Sequence, residues 1–386
     1  MTAGSPALTA NRIVGLFPEL LGVGGVQEAG RQTAAAISEI AQDVNWDTAF
    51  LSLNDAQGLQ SFSGGGREIS FSGSARSKAK FVTSALGQSS KGTKIVLAAH
   101  PNLAIPASLM KCKSPRIKTI VISHGIEVWK RLPILRRRAL LAAELVLAPS
   151  RDTIQKLIHV QGVAAEKTRR LAWPVDSSFL DWAENPAKLS LPAGFPVGPI
   201  VLTVGRWAST ECYKGADELI QAVSRLQEAQ PELNLVAVGD GDDLPRLRQL
   251  AHDCGVDGRV HFFSRVSRRE LAACFAHADI FALPSTGEGF GMVFLEAMVF
   301  GRPIVGAACG GTTDVLEGGV NGLLVPPHDA GRLEQALLRL MRDEKLRAEL
   351  GLGGARIVRQ KYSFEVFRAE LKQILAECGL ASNLRS

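Results

Sequence analysis

Two glutamates stand eight positions apart, Glu288 and Glu296, in the stretch PSTGEGFGMVFLEAM that runs from Pro284 to Met298. Glu288 lies among glycines, and Glu296 lies between Leu295 and Ala297 in an apolar pattern of helical spacing. The apolar run Ala278 to Leu283 precedes them and reads as a buried strand. Pro284 and the glycines break that run, and a helix is predicted from about Met292. A strand, a flexible turn and a helix N-terminus present backbone N–H groups to an anionic ligand. A carboxylate accepts two hydrogen bonds, as the paired hydroxyls of a ribose edge would donate. The plain alternative is a loop glutamate followed by a solvated helix glutamate. Against it, an acid in so apolar a helix needs a partner.

Other chemistry-bearing residues fall at the ends of predicted strands. Arg206 follows the run Ile200 to Val204, and Lys214-Gly215 opens the next helix. Both cations suit a diphosphate, through charge-assisted hydrogen bonds. Gly22-Val23-Gly24-Gly25 follows Arg12 to Phe17, where bare backbone could approach a phosphate or a sugar. A simple tight turn explains it equally, and the spacing is not that of a dinucleotide fingerprint. His100 and His124 each close a strand-like run, placed alike. Gly289, Phe290 and Gly291 can aim N–H groups at sugar oxygens. A diphosphate clamp beside acceptors for sugar hydroxyls describes a nucleotide-sugar site, although each residue alone reads equally as a solvated charge. Asp240-x-Asp242 has the form of a metal-binding pair, but its place in a strand-to-helix turn suits aspartates that cap the helix.

The elements that must position these residues alternate strand and helix through both halves of the chain. Such alternation, with apolar strands, predicts α/β domains with doubly wound parallel sheets. In these sheets ligands bind past the carboxyl ends of the strands. At 386 residues the length suits two domains. Composition shifts at 172–198, where Trp173-Pro174, Pro186, Pro192, Pro196 and Gly198 read as an interdomain connection. No apolar run spans a bilayer, and the first ten residues lack a basic start and an apolar signal core. Six scattered cysteines, with no Cys-x-x-Cys spacing, suit a reducing cytoplasm and argue against zinc and disulfides. Residues 1–175 hold 22 Lys and Arg against 11 Asp and Glu, a net of +11, whereas the rest carries −5. A basic first half suits an anionic partner, and a generic basic surface explains it equally. Lys130, Arg131 and Arg136 to Arg138 stand among Ile134, Leu135, Leu140 and Leu141, which suits either peripheral contact with an anionic membrane or an ordinary amphipathic surface helix. Nucleic acid is not expected, because these cations are not interleaved with stacking aromatics.

Taken together, these motifs resemble a retaining glycosyltransferase of the GT-B fold, in glycosyltransferase family 4 (group 1). The likeness is to bacterial exopolysaccharide and lipid-linked glycan sugar transferases. It covers nearly the whole chain and is strongest from Val201 to Pro327. It rests on Glu288-x7-Glu296, on Arg206 in VGR and Lys214 in YKG, on VAVGDGDD from Val236 to Asp243, and on GGTTDVLEGGVNGLLVPP from Gly310 to Pro327. The glycine loop and SHGIEVW around His124 match in the first half.

The resemblance implies two Rossmann-like domains facing a central cleft. Residues 1–175 would form the acceptor side, 176–198 a linker and 199–363 the nucleotide-sugar donor domain, with a last helix at about 364–386 packed back onto the first domain. It implies that Glu296 holds the ribose and Glu288 the hydroxyls of the transferred sugar. Arg206 and Lys214 would stabilise the leaving diphosphate, and His124 would contact the sugar. Gly24, Gly25, Arg265, Val266, Gly289, Phe290 and Gly291 would complete donor binding, with His100 and Glu127 on the acceptor side. The activity implied is hexose transfer from a GDP-mannose or UDP-glucose type donor to a glycan or lipid-linked saccharide, in polysaccharide biosynthesis, with no cofactor and no metal. The chain would be cytoplasmic, or peripheral at the inner membrane surface. Three positions depart from the family pattern: Trp173-Pro174 in the linker, Ser264 for a usual glycine, and Asp314 for a usual glutamate. A nucleotide-sugar epimerase of the same fold and a catalytically silent nucleotide-sugar-binding module are the competing readings.

Overall fold

Strands covered by helices on both faces carry continuous apolar sequence, and parallel pairing follows from helical crossovers. The chain behaves in this way twice. A computed structural model describes residues 11–380; residues 1–10 and 381–386, which include the N-terminal segment and the end of the predicted last helix, lie outside it. The chain divides into two compact units, Met1–Pro174 with Phe364–Ser386, and Val175–Ser363.

The first unit has an eight-stranded sheet built from β1 (Arg12–Phe17), β2 (Asp47–Ser52), β3 (Gly58–Gly64), β4 (Arg67–Gly73), β5 (Thr93–Ala98), β6 (Lys118–Ile122), β7 (Leu145–Ala148) and β8 (Thr168–Arg170). Its order is β3-β4-β2-β1-β5-β6-β7-β8. Every neighbouring pair is parallel except β3 and β4, an antiparallel hairpin turned by Gly65-Gly66. That hairpin departs from the purely parallel expectation. Val14, Leu16, Val96, Val121 and Val146 line the buried face of the central strands. The helix Phe364–Glu377 belongs to this unit. It packs on the helix Gly25–Asp43, with Phe367, Leu371, Ile374 and Leu375 buried and Arg368 paired with Glu39 at 2.9 Å and Asp43 at 2.6 Å.

The second unit holds β9 (Ile200–Val204), β10 (Asn234–Val238), β11 (Val260–Phe263), β12 (Ile280–Leu283), β13 (Ile304–Ala307) and β14 (Gly322–Val325). All neighbours in the order β11-β10-β9-β12-β13-β14 are parallel. The helix Ala216–Leu226 covers one face with Leu219, Ile220 and Val223. The stretch 176–198, expected as a connection, falls inside this unit. Asp176 caps a helix there, Ser177–Glu184, by accepting from the Ser178 N–H, and Phe179 is fully buried with its ring edge-on to Phe275 and Phe300. A capping box forms at Ser267 and Glu270, at the start of the helix Arg268–His277.

Candidate functional site

In the second unit the predicted residues gather where β9 and β12 end. The β9 strand gives way to Gly205-Arg206-Trp207, and this loop is tied to the loop after β10 by backbone bonds. The Trp207 N–H donates to Asp240 O at 3.0 Å, and the Asp243 N–H donates to Trp207 O at 2.9 Å. Gly239 has φ 137°, and a Cβ there would fall inside van der Waals contact of the Gly205 carbonyl oxygen. The glycine of VGDG therefore serves close packing of two loops. The expectation that these aspartates cap the next helix is not met, and Asp242 instead ties the same two loops together. Asp242 accepts from the Ser209 N–H at 2.9 Å and the Ser209 hydroxyl at 2.8 Å, bonds that hold its carboxyl below the usual range. Asp240 accepts from the Gly241 N–H at 2.9 Å, and Asp243 holds Arg246 instead of a cap N–H. Among the described residues, no group of three or more His, Cys, Asp or Glu is placed to hold a metal ion.

The chain then turns through Glu211 into a short 3-10 turn, Cys212–Lys214. Tyr213 O accepts from the Thr286 N–H at 2.8 Å, which sets this loop against the turn after β12. Charges now alternate. Arg206 pairs with Glu211 Oε1. Lys214 Nζ lies 3.9 Å from Glu211 Oε2 and 3.2 Å from Glu288 Oε1. The Arg206 side chain is 72% exposed, whereas that of Glu211 is only 10% exposed. Tyr213 is pushed above its ordinary pKa by burial, then by the Glu288 charge. Arg246, on the helix Leu244–Asp253, grips Asp217 at 2.7 and 2.8 Å and Asp243 at 2.7 Å, and so ties the start of the helix after Lys214 to the loop after β10.

Glu288 sits in the turn itself, and its backbone O accepts from the Gly311 N–H at 2.8 Å. Phe290 is buried edge-on to Tyr362, with ring centroids 5.8 Å apart. Gly291, at φ 87°, starts the helix Met292–Val299, and only a residue tolerant of left-handed geometry serves there. Gly289 and Glu296 are half-buried, Glu296 in the second turn of that helix. Arg265 is exposed at φ 56° and lies 3.5 Å from Asp240, and Val266 is half-buried beside it.

The first unit holds the remaining predicted residues in a separate group. Gly24 and Gly25 are exposed at the start of the helix Gly25–Asp43. The loop before them is held by two residues that sequence reasoning missed. Asp55 accepts from the Leu20 and Leu21 N–H groups at 2.7 and 3.1 Å, and Arg31 donates to Leu20 O and Gly22 O at 2.6 and 3.0 Å. At the end of β6, Glu127 accepts from the His124 and Gly125 N–H groups at 2.5 and 3.0 Å, so its carboxylate holds the turn. His124 Nε2 meets Ala99 O at 2.8 Å. Its ring stacks between His100 at 5.8 Å and Trp173 at 5.2 Å. Burial pushes His100 down to about 4, opposed by the Glu127 charge and aided by His124 and Arg136. Glu211 was also missed. Its signal was a carboxylate lying in sequence between two singled-out cations, in a loop with no periodicity to fix its direction.

Comparison with known proteins adds relatives to this geometry. The family described as "Glycosyl transferases group 1" matches residues 195–356. The chain is 33% identical over 249 residues to a D-inositol 3-phosphate glycosyltransferase of Xylanimonas cellulosilytica, covering 61% of this chain and 57% of that protein. It is 30% identical over 271 residues to a GDP-mannose-dependent alpha-(1-6)-phosphatidylinositol monomannoside mannosyltransferase of Mycobacterium tuberculosis, covering 67% of this chain and 69% of that protein. The match thus spans little more than half the length of the first relative. Among solved structures, a sucrose-phosphate synthase from Thermosynechococcus elongatus superposes with a TM-score of 0.74 at 20% identity, over 95% of this chain and 98% of that one. Anabaena HepE in complex with UDP superposes with a TM-score of 0.70 at 20% identity, over 95% and 100% of the two chains. At these identities the two structures speak for a shared fold.

Proposed function

The chain belongs to the group 1 glycosyl transferases and has their GT-B fold, and from that premise we propose that it moves a hexose from a nucleoside-diphosphate sugar to a glycan or lipid-linked saccharide, with retention at the anomeric carbon and without a metal. One observation carries the reading: Arg206 and Lys214 are held side by side by Glu211, over a turn whose Glu288 bonds Lys214 at 3.2 Å. Two cations kept this near in a partly dry setting suit the diphosphate of a leaving nucleotide. On this reading Glu288 accepts from the hydroxyls of the transferred sugar, and Glu296 from the ribose. The acceptor oxygen bonds to the anomeric carbon as the bond from that carbon to the diphosphate breaks. The acceptor proton passes to the departing phosphate oxygen, so no strong base is required of the protein. His124, with His100 and the Gly24–Gly25 turn, is assigned to contacts with the sugar and the acceptor.

The GDP-mannose dependence of the mycobacterial relative supports a GDP-mannose type donor first, and the UDP-bound neighbour supports a UDP-sugar type second. Supplying each donor with a membrane lipid extract, and following nucleotide release and glycolipid formation, tests the reading. Arg206→Ala and Lys214→Ala are each expected to lower kcat/KM by on the order of 10² or more. Near-wild-type turnover in both would reject the diphosphate assignment, and a donor epimerised with no acceptor present would make the chain an isomerase.

A second observation supports an anionic membrane as partner. Ile134 and Leu135 are 62% and 66% exposed on the helix Ile134–Leu141, with Lys130, Arg131 and Arg138 exposed around them. Aliphatic side chains flanked by cations suit the boundary between headgroups and acyl chains. No helix among the described residues is long and apolar enough to cross a membrane.

A further inference from the structure

The cations assigned to the diphosphate are not free to receive it. Arg206 is paired with Glu211, and Lys214 stands between Glu211 and Glu288, so two positive charges already face two negative ones. Glu288 has a part to play with the sugar, but Glu211 has none. Its carboxylate is turned inward, 10% exposed, whereas the Arg206 side chain it holds is 72% exposed. The loop also needs no carboxylate for its own shape. The Glu211 N–H donates to Ala208 O at 2.7 Å, and its carbonyl accepts from the Lys214 N–H at 3.0 Å, bonds that any residue could make. A nearby opposite charge holds a mobile arginine in one place, and it must yield before a second anion can take that cation.

We propose that Glu211 is a positioning residue, an internal counter-ion that keeps Arg206 beside Lys214 in the empty site and is displaced from Arg206 by the diphosphate of the incoming nucleotide. This rests on the donor reading given above and adds a competitor to it. Glu211 weakens binding of the nucleotide diphosphate, both as donor and as product. It thereby speeds release of the product, a step that limits turnover in many enzymes.

Calorimetric titration of inorganic pyrophosphate, GDP and UDP into the wild-type chain and Glu211→Gln tests the proposal. The neutral isostere is expected to bind pyrophosphate about tenfold tighter at low salt, since one charged contact to arginine no longer competes. The gain should shrink at high salt and should largely vanish when Arg206→Ala is added. In turnover, KM for the donor and kcat should fall together, and the conservative Glu211→Asp should restore part of the wild-type behaviour. If Glu211→Gln fails to fold, Glu211→Asp carries the same test, with a gain of a few-fold expected. Unchanged or weaker pyrophosphate binding in a folded variant overturns the proposal, as does a gain that survives Arg206→Ala. A wild-type chain that binds pyrophosphate but neither nucleotide ends the donor reading alone, and the comparison on pyrophosphate still decides the role of Glu211. A wild-type chain that binds none of the three overturns both.

Discussion

His100 shows how the setting of one side chain becomes a property of the fold. Its Nδ1 accepts from the Asn102 N–H at 3.1 Å, and its ring lies against His124. Burial keeps it neutral down to about 4, well below the ordinary imidazole value of 6.5. The unfolded chain therefore binds this proton first as the pH falls. Above about pH 6.5 the residue costs nothing, because it is neutral in both states. Between 6.5 and 4 stability falls with a slope of at most about 1.4 kcal/mol per pH unit, and below 4 the loss is complete. Thermal unfolding of wild type and His100→Asn over this window checks it: the wild-type midpoint should drop more steeply, and parallel curves would count against the assignment. Legibility at this scale was uneven. Residue types and strand-end placing were enough to single out Arg206, Lys214, Glu288 and His124. That Glu127 spends its carboxylate on two turn N–H groups was not readable, since the backbone direction decides it.

The loops after β9 and β10 are the element that aims Arg206, and their contact depends on one missing methyl group. Gly239→Ala would drive a Cβ into the Gly205 carbonyl at φ 137°, a geometry that side chains rarely adopt. A loss of about 1–3 kcal/mol in denaturant titration is expected, together with weaker nucleotide binding. Wild-type stability in that variant would show that the two loops part without cost. The long parallel strands were legible because both their faces are buried, which leaves apolar runs such as KIVLAA and KTIVIS. The hairpin of β3 and β4 was not, although Gly65-Gly66 turns it. Its strands, GLQSFSG and REISFSG, bury only Phe62, Ile69 and Phe71, with serines and charges between them, so neither strand carries a continuous apolar run. The helix Ser177–Glu184 was hidden for another reason. Prolines on both sides gave the stretch the composition of a linker, while Phe179 makes it part of a core.

Over the whole molecule, charge is divided between the two halves of the chain, with +11 in residues 1–175 and −5 in the remainder. A surface field of this sign favours an anionic lipid surface and should fade with salt. Sedimentation with vesicles is expected to show binding to anionic but not to neutral lipid, reduced several-fold in Ile134→Ser with Leu135→Ser. Equal binding to both lipids would remove the membrane from the proposal.

The helix Phe364–Glu377 has a consequence for how the chain is made. It completes the first unit, yet it follows all of the second in sequence. During synthesis the helix Gly25–Asp43 waits, its Glu39 and Asp43 without Arg368 and Lys372 and its apolar neighbours bare, while the whole of the second unit leaves the ribosome. The unit that begins first is thus the one whose core closes last, and the second can fold before it on its own contiguous stretch of chain.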